Sequence, residues 1–362
     1  MSKYTELKLI ELPTIELFQT LGYEYRDCFY ERFGEKRTFG RETPSDVVLI
    51  PRLKESLFRL NPNLKPEAID LAIEELTRDR SSLNPVVANM EIYKMLKDGV
   101  KVAIRNEYGD EEIETVQVID FDNPENDDFF LASQFWVTGE MYKRRADLVG
   151  FVNGLPLIFI ELKAVHKRLE NAYRNNLTDY KATIPQIFWY NAFIILSNGS
   201  ESRIGTITAD YEHFSEWKKI NSEGEEGIVS LETIIKGTCE KHKFLDILEN
   251  FILFQNTSVP LTKIISKNHQ YLGVNNTIQS FNNIKENQGK LGVFWHTQGS
   301  GKSFSMIFFS QKILRKFKGN YTFLIVTDRK ELDEQIYKNF LVQERLRKKR
   351  FMQKAVNTLN SF

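Results

Sequence analysis

Residues 155–160, Leu-Pro-Leu-Ile-Phe-Ile, are apolar at odd and even positions alike, and the run leads straight into Glu161 and Lys163. Side chains on a strand alternate between two faces, so a strand that is apolar on both belongs in the interior of a sheet. Charge at the end of such a strand is costly without a partner. Carboxylates and amines gathered there mark a functional site more often than a solvated face. This single run therefore predicts a layered α/β or α+β domain with polar chemistry at one end of its sheet.

Asp147 lies fourteen residues before Glu161, in the strand-like stretch RRADLVGFV. Asp, then Glu-x-Lys on the next strand, is the spacing of metal-dependent nucleases. Asp147 and Glu161 are suited to hold Mg²⁺ through oxygen ligands while the ion keeps several waters. The ion would activate a water and neutralise charge building on a phosphate. Lys163 would orient that water or stabilise the pentavalent phosphate. Glu161 and Lys163 share a strand face and can converge on one ion.

Whether Asp147 joins them depends on register. Asn153-Gly154 is a hairpin signal. A two-residue loop pairs Val152 with Leu155 and sets Asp147 opposite Ile160, on the wrong face. A three-residue loop, Asn153 to Leu155, sets Asp147 opposite Glu161, with Gly154 supplying a positive φ and a bulge. Pro156, which has no N–H to donate, then takes the first strand position. The second register is predicted, or strands splayed enough to serve the same end.

Elsewhere the chain changes rhythm twice. Residues 1–100 read as mostly helical, from the three- and four-residue apolar spacing of IELFQTLGY, DVVLIPRLKESLFRL and PEAIDLAIEEL. Pro66 suits the first turn of a helix. From Val100 the chain turns to strand-like runs, KVAIR, ETVQVIDF, RADLVGFV and PLIFIEL. NAYRNNLTDYKATIPQIF then reads as helix and AFIILSNG as a buried strand.

A second site follows. VFWHTQGSGKSFSMIFF runs from a strand through Gly299-Ser300-Gly301-Lys302-Ser303 into a helix. The glycines let backbone N–H groups point at phosphates, Lys302 reaches the β/γ oxygens and Ser303 ligates Mg²⁺. The helix N-terminus adds its dipole. The full consensus asks for Gly where this chain has His296; the match is to the shorter Gly-x-Gly-Lys-Ser form. Gln270, about thirty residues earlier, is placed to read an adenine through its amide. The strand–loop–helix–strand order predicts a βαβ unit with a parallel sheet.

Composition bounds the rest. With 49 Lys+Arg against 49 Asp+Glu, any nucleic-acid contact must come from a local basic surface or a bound cation. Cys28 and Cys239 are the two cysteines, far apart and without ligand spacing, which excludes a disulfide framework or zinc ribbon and fits a reducing cytoplasm. The start MSKYTELKLIELPTIELF carries acids where a secretory signal is apolar, and no apolar run approaches ~18 residues. A cytoplasmic protein without membrane contact is expected. The histidines at 166, 213, 242 and 269 show no metal spacing, and most of the 27 Phe and 14 Tyr fall in apolar runs and read as core.

A nuclease Asp…Glu-x-Lys followed by a helicase-type phosphate loop resembles the restriction (R, or HsdR) subunit of type I restriction–modification enzymes, over roughly residues 10 to 340. LGY near the start, RLNPNL at 59–64 and VTDRKELDEQ at 326–335, similar to helicase motif Ia, add to the likeness. The resemblance implies an α/β architecture: a PD-(D/E)xK restriction-endonuclease-like domain with a helical N-terminal extension over 1–252 and a partial superfamily-two RecA-like lobe at 269–340; the loss of periodicity in FQNTSVPLTKIISKN places a linker at 253–268, and residues 341–362 read as a basic tail of uncertain origin. It implies Mg²⁺-dependent cleavage of double-stranded DNA by Asp147, Glu161 and Lys163. It further implies ATP bound by Gln270, Gly299, Ser300, Gly301, Lys302 and Ser303, with modification and specificity subunits as partners.

Two departures bear on this. Family members often carry Gln-x-x-x-Tyr on a helix after the nuclease lysine; here the stretch is Asn176-Leu-Thr-Asp-Tyr180, with a shorter amide and the tyrosine kept. At i and i+4 the two share a helix face, and Tyr180 reads equally as a site residue or as half-buried packing. After residue 340 nothing resembles the rest of a motor, so weak nucleotide binding and no translocation are expected, with the end read as a fragment, a truncated frame or a frameshift. The basic residues 345, 347, 348, 349 and 350 read as a solvated charge run. Two other readings stay open: a nucleotide-binding interaction module, and an inactive fragment that docks on the other subunits without cleaving.

Overall fold

In the computed structural model, which describes residues 7–105, 108–255 and 260–326, Asn153 (φ 50°) and Gly154 (φ 77°) make the tight two-residue turn of a hairpin. The loop is therefore two residues long, not three, and Val152 pairs with Leu155. The shift expected of the loop occurs inside the strand instead. Phe151 pairs with Pro156 but Gly150 pairs with Ile158, so Leu157 is an extra, bulged residue. Beyond the bulge Leu148 faces Ile160, and continuing that register by one residue sets Asp147 level with Glu161. The predicted alignment is reached by a different device.

That hairpin is the centre of the larger of two compact units, residues 1–249 and 250–362. The first unit contributes strands β1 (Glu24–Asp27), β2 (Val100–Arg105), β3 (Glu111–Val116), β4 (Phe129–Thr138), β5 (Lys143–Val152), β6 (Leu155–Leu162), β7 (Phe193–Ser197) and β8 (Ser202–Gly205). Six of them form one sheet in the order β1-β4-β5-β6-β7-β8, while β2 and β3 pair only with each other. β4, β5 and β6 are mutually antiparallel. β7 runs parallel to β6, reached by a crossover through the helical segment 172–189, and β1 runs parallel to β4.

The sheet is covered on both faces, as the apolar run demands: every residue of β6 and β7 is buried. Phe130, Phe135 and Phe151 form one aromatic group, and Phe159 packs against both Phe188 and Tyr180. The helices Ile50–Leu60, Pro66–Thr77 and Pro85–Asp98 each carry a proline in the first turn, where its missing N–H is not needed. The side chain of Asn89 ties the last of these to the segment after the crossover, donating to the carbonyls of Phe188, Trp189 and Asn191.

The turn is itself anchored. Asn153 is fully buried; its amide donates to the Val118 carbonyl at 2.8 Å and to Asp127, and its Oδ1 accepts from the Asp128 N–H. A Cβ on Gly154 would stand 2.5 Å from the Leu49 carbonyl oxygen and 2.8 Å from the Leu53 nitrogen. Close backbone approach and a positive φ both require glycine there.

The second unit adds β9 (Ile252–Gln255) and β10 (Thr262–Ile265), which pair antiparallel, so the segment read as a linker carries two strands. Helices Asn268–Asn282 and Lys302–Lys316 pack together, with Phe251 against Tyr271 and Phe308. The expected βαβ ladder differs from what forms: residues 291–296 and 322–326 join no strand, and Val293, Trp295 and Leu324 are exposed. A parallel strand draws its hydrogen bonds from non-local strands, and among the described residues no strand pairs with these segments. Residues 327–335, most of the motif-Ia-like stretch, and the tail 341–362 lie outside the described residues. No helix among those described is long and apolar enough to cross a membrane.

Candidate active site

β5 and β6 bring Asp147 and Glu161 together. An Asp147 carboxylate oxygen accepts the Leu162 backbone N–H at 2.9 Å, so its side chain reaches across to β6. Lys163, just past the end of β6, is held by its own N–H on the Ser197 carbonyl of β7. Its Nζ donates to Glu161 Oε1 at 2.7 Å. Glu161 is 1% exposed, and its Oε2 is buried without a full hydrogen-bond partner. Burial, reinforced by the neighbouring Asp147 charge, pushes the Glu161 carboxyl well above the usual range, while Lys163 and the Tyr180 hydroxyl act against that shift. Two carboxylates that repel each other and one buried oxygen without a partner make this an electrostatically strained cluster.

Tyr180 joins this group from the helix Thr178–Thr183. Its ring lies 5.6 Å from that of Phe159, and its hydroxyl donates to the Arg145 carbonyl at 3.3 Å. The side chains of Asn176 and Glu161 also interact with that hydroxyl. The shorter amide thus reaches the tyrosine across a widened helical turn at Ala172–Leu177.

Two neighbours were not read from the sequence. Glu11, 7% exposed, accepts from the Gln134 side-chain amide at 2.8 Å, and Gln134 stands level with Asp147 on β4 in a left-handed conformation (φ 54°). Burial pushes Glu11 up to about 7, with Asp147 and Asp27 adding repulsion. The available signal was an acid inside the apolar helical run LIELPTIEL. Among the described residues no three His, Cys, Asp or Glu side chains converge as a ready-made metal cluster. The fold therefore offers the Asp147–Glu161 pair, with Glu11 standing further off. Beside Lys163 opens a polar cleft of about 640 Å³, lined by His166, Lys167, Arg168, Asn171, Asn175 and Asn176.

In the second unit, Gly299 and Gly301 take positive φ (80° and 84°), and the helix begins at Lys302. The Lys302 ammonium folds back onto the carbonyls of His296 (2.8 Å) and Thr297 (3.0 Å), closing the loop on itself. Ser300 Oγ is buried without a hydrogen-bond partner, and Ser303 lies in the first helical turn. Gln270 touches this loop, but through backbone: its Nε2 donates to the Ser300 and Gly301 carbonyls, and its Oε1 accepts the Lys267 N–H. Both ends of the amide expected to meet adenine are engaged with protein. A Cβ on Gly301 would stand 2.6 Å from Gln270 Nε2.

Comparison with known proteins gives two matching families. The type I restriction enzyme R protein N terminus matches residues 3–213, and the SWI2/SNF2 ATPase matches residues 269–361. The chain is 35% identical over 348 residues to the type I restriction enzyme HindI endonuclease subunit of Haemophilus influenzae, covering 91% of this chain and 32% of that protein. It is 30% identical over 374 residues to a Methanocaldococcus jannaschii protein with the provisional name type I restriction enzyme MjaIXP endonuclease subunit, covering 94% of this chain and 34% of the other. A Staphylococcus aureus type I restriction enzyme endonuclease subunit is 26% identical over 217 residues, 58% of this chain and 22% of its own. The chain thus spans about a third of the length of the first two relatives.

Proposed function

Because the chain belongs to the type I restriction enzyme R protein family, we propose that its first unit is a PD-(D/E)xK nuclease domain that hydrolyses phosphodiesters in double-stranded DNA with Mg²⁺. The convergence of Asp147, Glu161 and Lys163 at the end of a buried strand carries this reading. Asp147 and Glu161 are the residues suited to hold the cation, since the orphaned Glu161 Oε2 and the mutual repulsion of the carboxylates both favour one. When bound, the ion supplies Lewis-acid activation of water and offsets charge building on the scissile phosphate. Lys163, released from its contact with Glu161, turns its ammonium to the phosphoryl oxygens or the attacking water. Tyr180 limits the movement of Glu161, and Arg144, tied to Asp179, steadies the helix that carries it. Lys167 and Arg168 in the neighbouring cleft suit the phosphates of the approaching strand.

Calorimetric titration with Mg²⁺ tests the assignment. The wild-type chain should take up one or two ions, and Asp147→Ala should lose that uptake together with DNA cleavage. Identical titrations for both proteins would mean that the carboxylate spacing is accidental.

The second unit is read as the opening of a RecA-like lobe that binds ATP, with DNA translocation and contact with modification and specificity subunits belonging to the longer assembly. The Gly299–Ser303 turn at a helix N-terminus, with Lys302 poised over it, supports nucleotide binding. In fluorescence titration with a labelled ATP analogue, Lys302→Ala should weaken binding by about 100-fold. A change under threefold would remove the loop from the nucleotide site.

A further inference from the structure

Next to the carboxylates lies a surface that the proposed cleavage does not use. Trp136 of β4 pairs directly with Arg145 of β5, two residues before Asp147. The Arg145 guanidinium lies 5.2 Å from the Trp136 ring and 5.1 Å from the ring of Phe29, in the loop after β1. The Trp136 indole N–H donates to the Phe29 carbonyl at 3.3 Å, fixing the two against each other. Lys143 Nζ sits 4.4 Å over the Trp136 ring. Tyr30, 86% exposed, stands edge-on to Phe29 with ring centroids 4.8 Å apart.

The arrangement is unusual for a surface. Phe29 and Tyr30 are left in water and Trp136 is half-buried, while cations lie over the Phe29 and Trp136 rings. Burial does not account for it, since Phe29 is 40% and Tyr30 86% exposed. Nor does ion pairing: Lys143 and Arg145 lie over rings, although Arg145 also helps to hold the Glu11 carboxyl down. Arg145 and Asp147 are two apart on β5 and so share a strand face, which sets the cluster's inner cation on the same side of the sheet as that carboxylate. Aromatic faces interleaved with Lys and Arg are the chemistry that binds unpaired nucleotides: bases stack on rings and phosphates meet the cations.

We propose that Phe29, Tyr30, Trp136, Lys143 and Arg145 form a subsite for an unpaired DNA strand flanking the scissile phosphate. The proposal rests on the nuclease reading for its biological sense, but its binding chemistry stands on this surface alone. Lys143 and Arg145 hold the phosphates nearest Asp147, and one or two bases beyond them stack on Trp136 and on the projecting Tyr30 ring. The subsite favours a frayed or nicked strand over an intact duplex, whose bases are already stacked on one another.

Fluorescence anisotropy with a labelled single-stranded oligothymidine and with a duplex of equal length, on the whole chain in EDTA, tests this without cleavage. The wild-type chain should bind the single strand more tightly than the duplex. Tyr30→Ala and Lys143→Ala should each lower single-strand affinity by about 10-fold, and Tyr30→Phe should restore it. Lys143→Ala should also flatten the salt dependence by roughly 0.7 in log–log slope. Unchanged single-strand affinity in both alanine variants overturns the subsite, as does equal or tighter binding of the duplex by wild type. Mg²⁺ calorimetry on wild type reads the carboxylate pair separately. Intact Mg²⁺ uptake with unaffected variants sinks only the subsite, whereas absent uptake with the predicted losses sinks only the nuclease reading.

Discussion

Glu161→Gln should make the protein both inactive and harder to melt. Cleavage is expected to fall by about 1000-fold or more, since the amide oxygen cannot replace a carboxylate as ligand to a hard cation. At pH 8 without metal, the melting temperature should rise by about 3–6 °C. The gain follows from the geometry. Glu161 is buried, faces the Asp147 charge and has one oxygen unsatisfied, so its ionised form destabilises the fold at this pH. Glutamine keeps the shape and can still accept from Lys163. Lys163→Ala should do the opposite for stability, because it leaves the buried carboxylate without its cation. Opposite signs in thermal melts, with activity lost in both, would mark a site whose strain serves chemistry. If Glu161→Gln melts lower than wild type, the carboxylate is a structural ion pair and the metal assignment fails with it.

Much of this arrangement was legible because the chemistry sits on strands with strong local signals. β5, β6 and β7 announce themselves as aliphatic runs, and Asn153-Gly154 fixes where the hairpin turns. The glycine turn before the helix at Lys302 is legible for the same reason, as its glycines and lysine are fixed by spacing. The register was harder. β6 is buried at all eight positions, so no polar alternation records which residue faces which. The bulge at Leu157 forms opposite Gly150, where a Cβ would come within 3.0 Å of Ile158. An isolated glycine in a strand signals such a place, but it does not say on which strand the extra residue lies.

Other features depended on contacts distant in sequence. β1, Glu-Tyr-Arg-Asp, is a mostly exposed edge strand whose composition reads as loop; it exists because β4 offers a parallel edge. β4 itself is a long apolar stretch interrupted by Gln134, whose left-handed backbone brings its amide to Glu11. Glu11 comes near Asp147 only because the N-terminal helical segment packs back toward β4, and reading residues 1–100 as an extension hid it. The segments flanking the Gly299–Ser303 turn fail in the other direction. Their strand propensity is clear, but propensity cannot supply the neighbours a ladder needs.

The buried acids give the molecule a pH response that metal should reverse. Glu11, Glu31 and Asp127 are each pushed up to about 7, chiefly by burial, and burial also raises Glu161 well above the ordinary carboxylate range. A carboxyl with a raised folded pKa binds more protons folded than unfolded, so stability falls as pH rises from the ordinary carboxylate range toward 7. Metal-free protein should therefore melt highest near pH 5 and lose on the order of 5 °C or more by pH 8. A divalent cation at Asp147 and Glu161 competes with the proton on Glu161 and, through space, with that on Glu11. Its affinity should therefore climb as pH rises toward 8, because binding displaces protons. Mg²⁺ should thus raise the melting temperature at pH 8 and leave it unmoved at pH 5. The Glu161→Gln variant should lose the Mg²⁺ response but retain the slope set by Glu31 and Asp127, which lie outside the site. Thermal melts across pH with and without Mg²⁺ separate these terms, and a Mg²⁺ effect independent of pH would place the ion away from the buried pair.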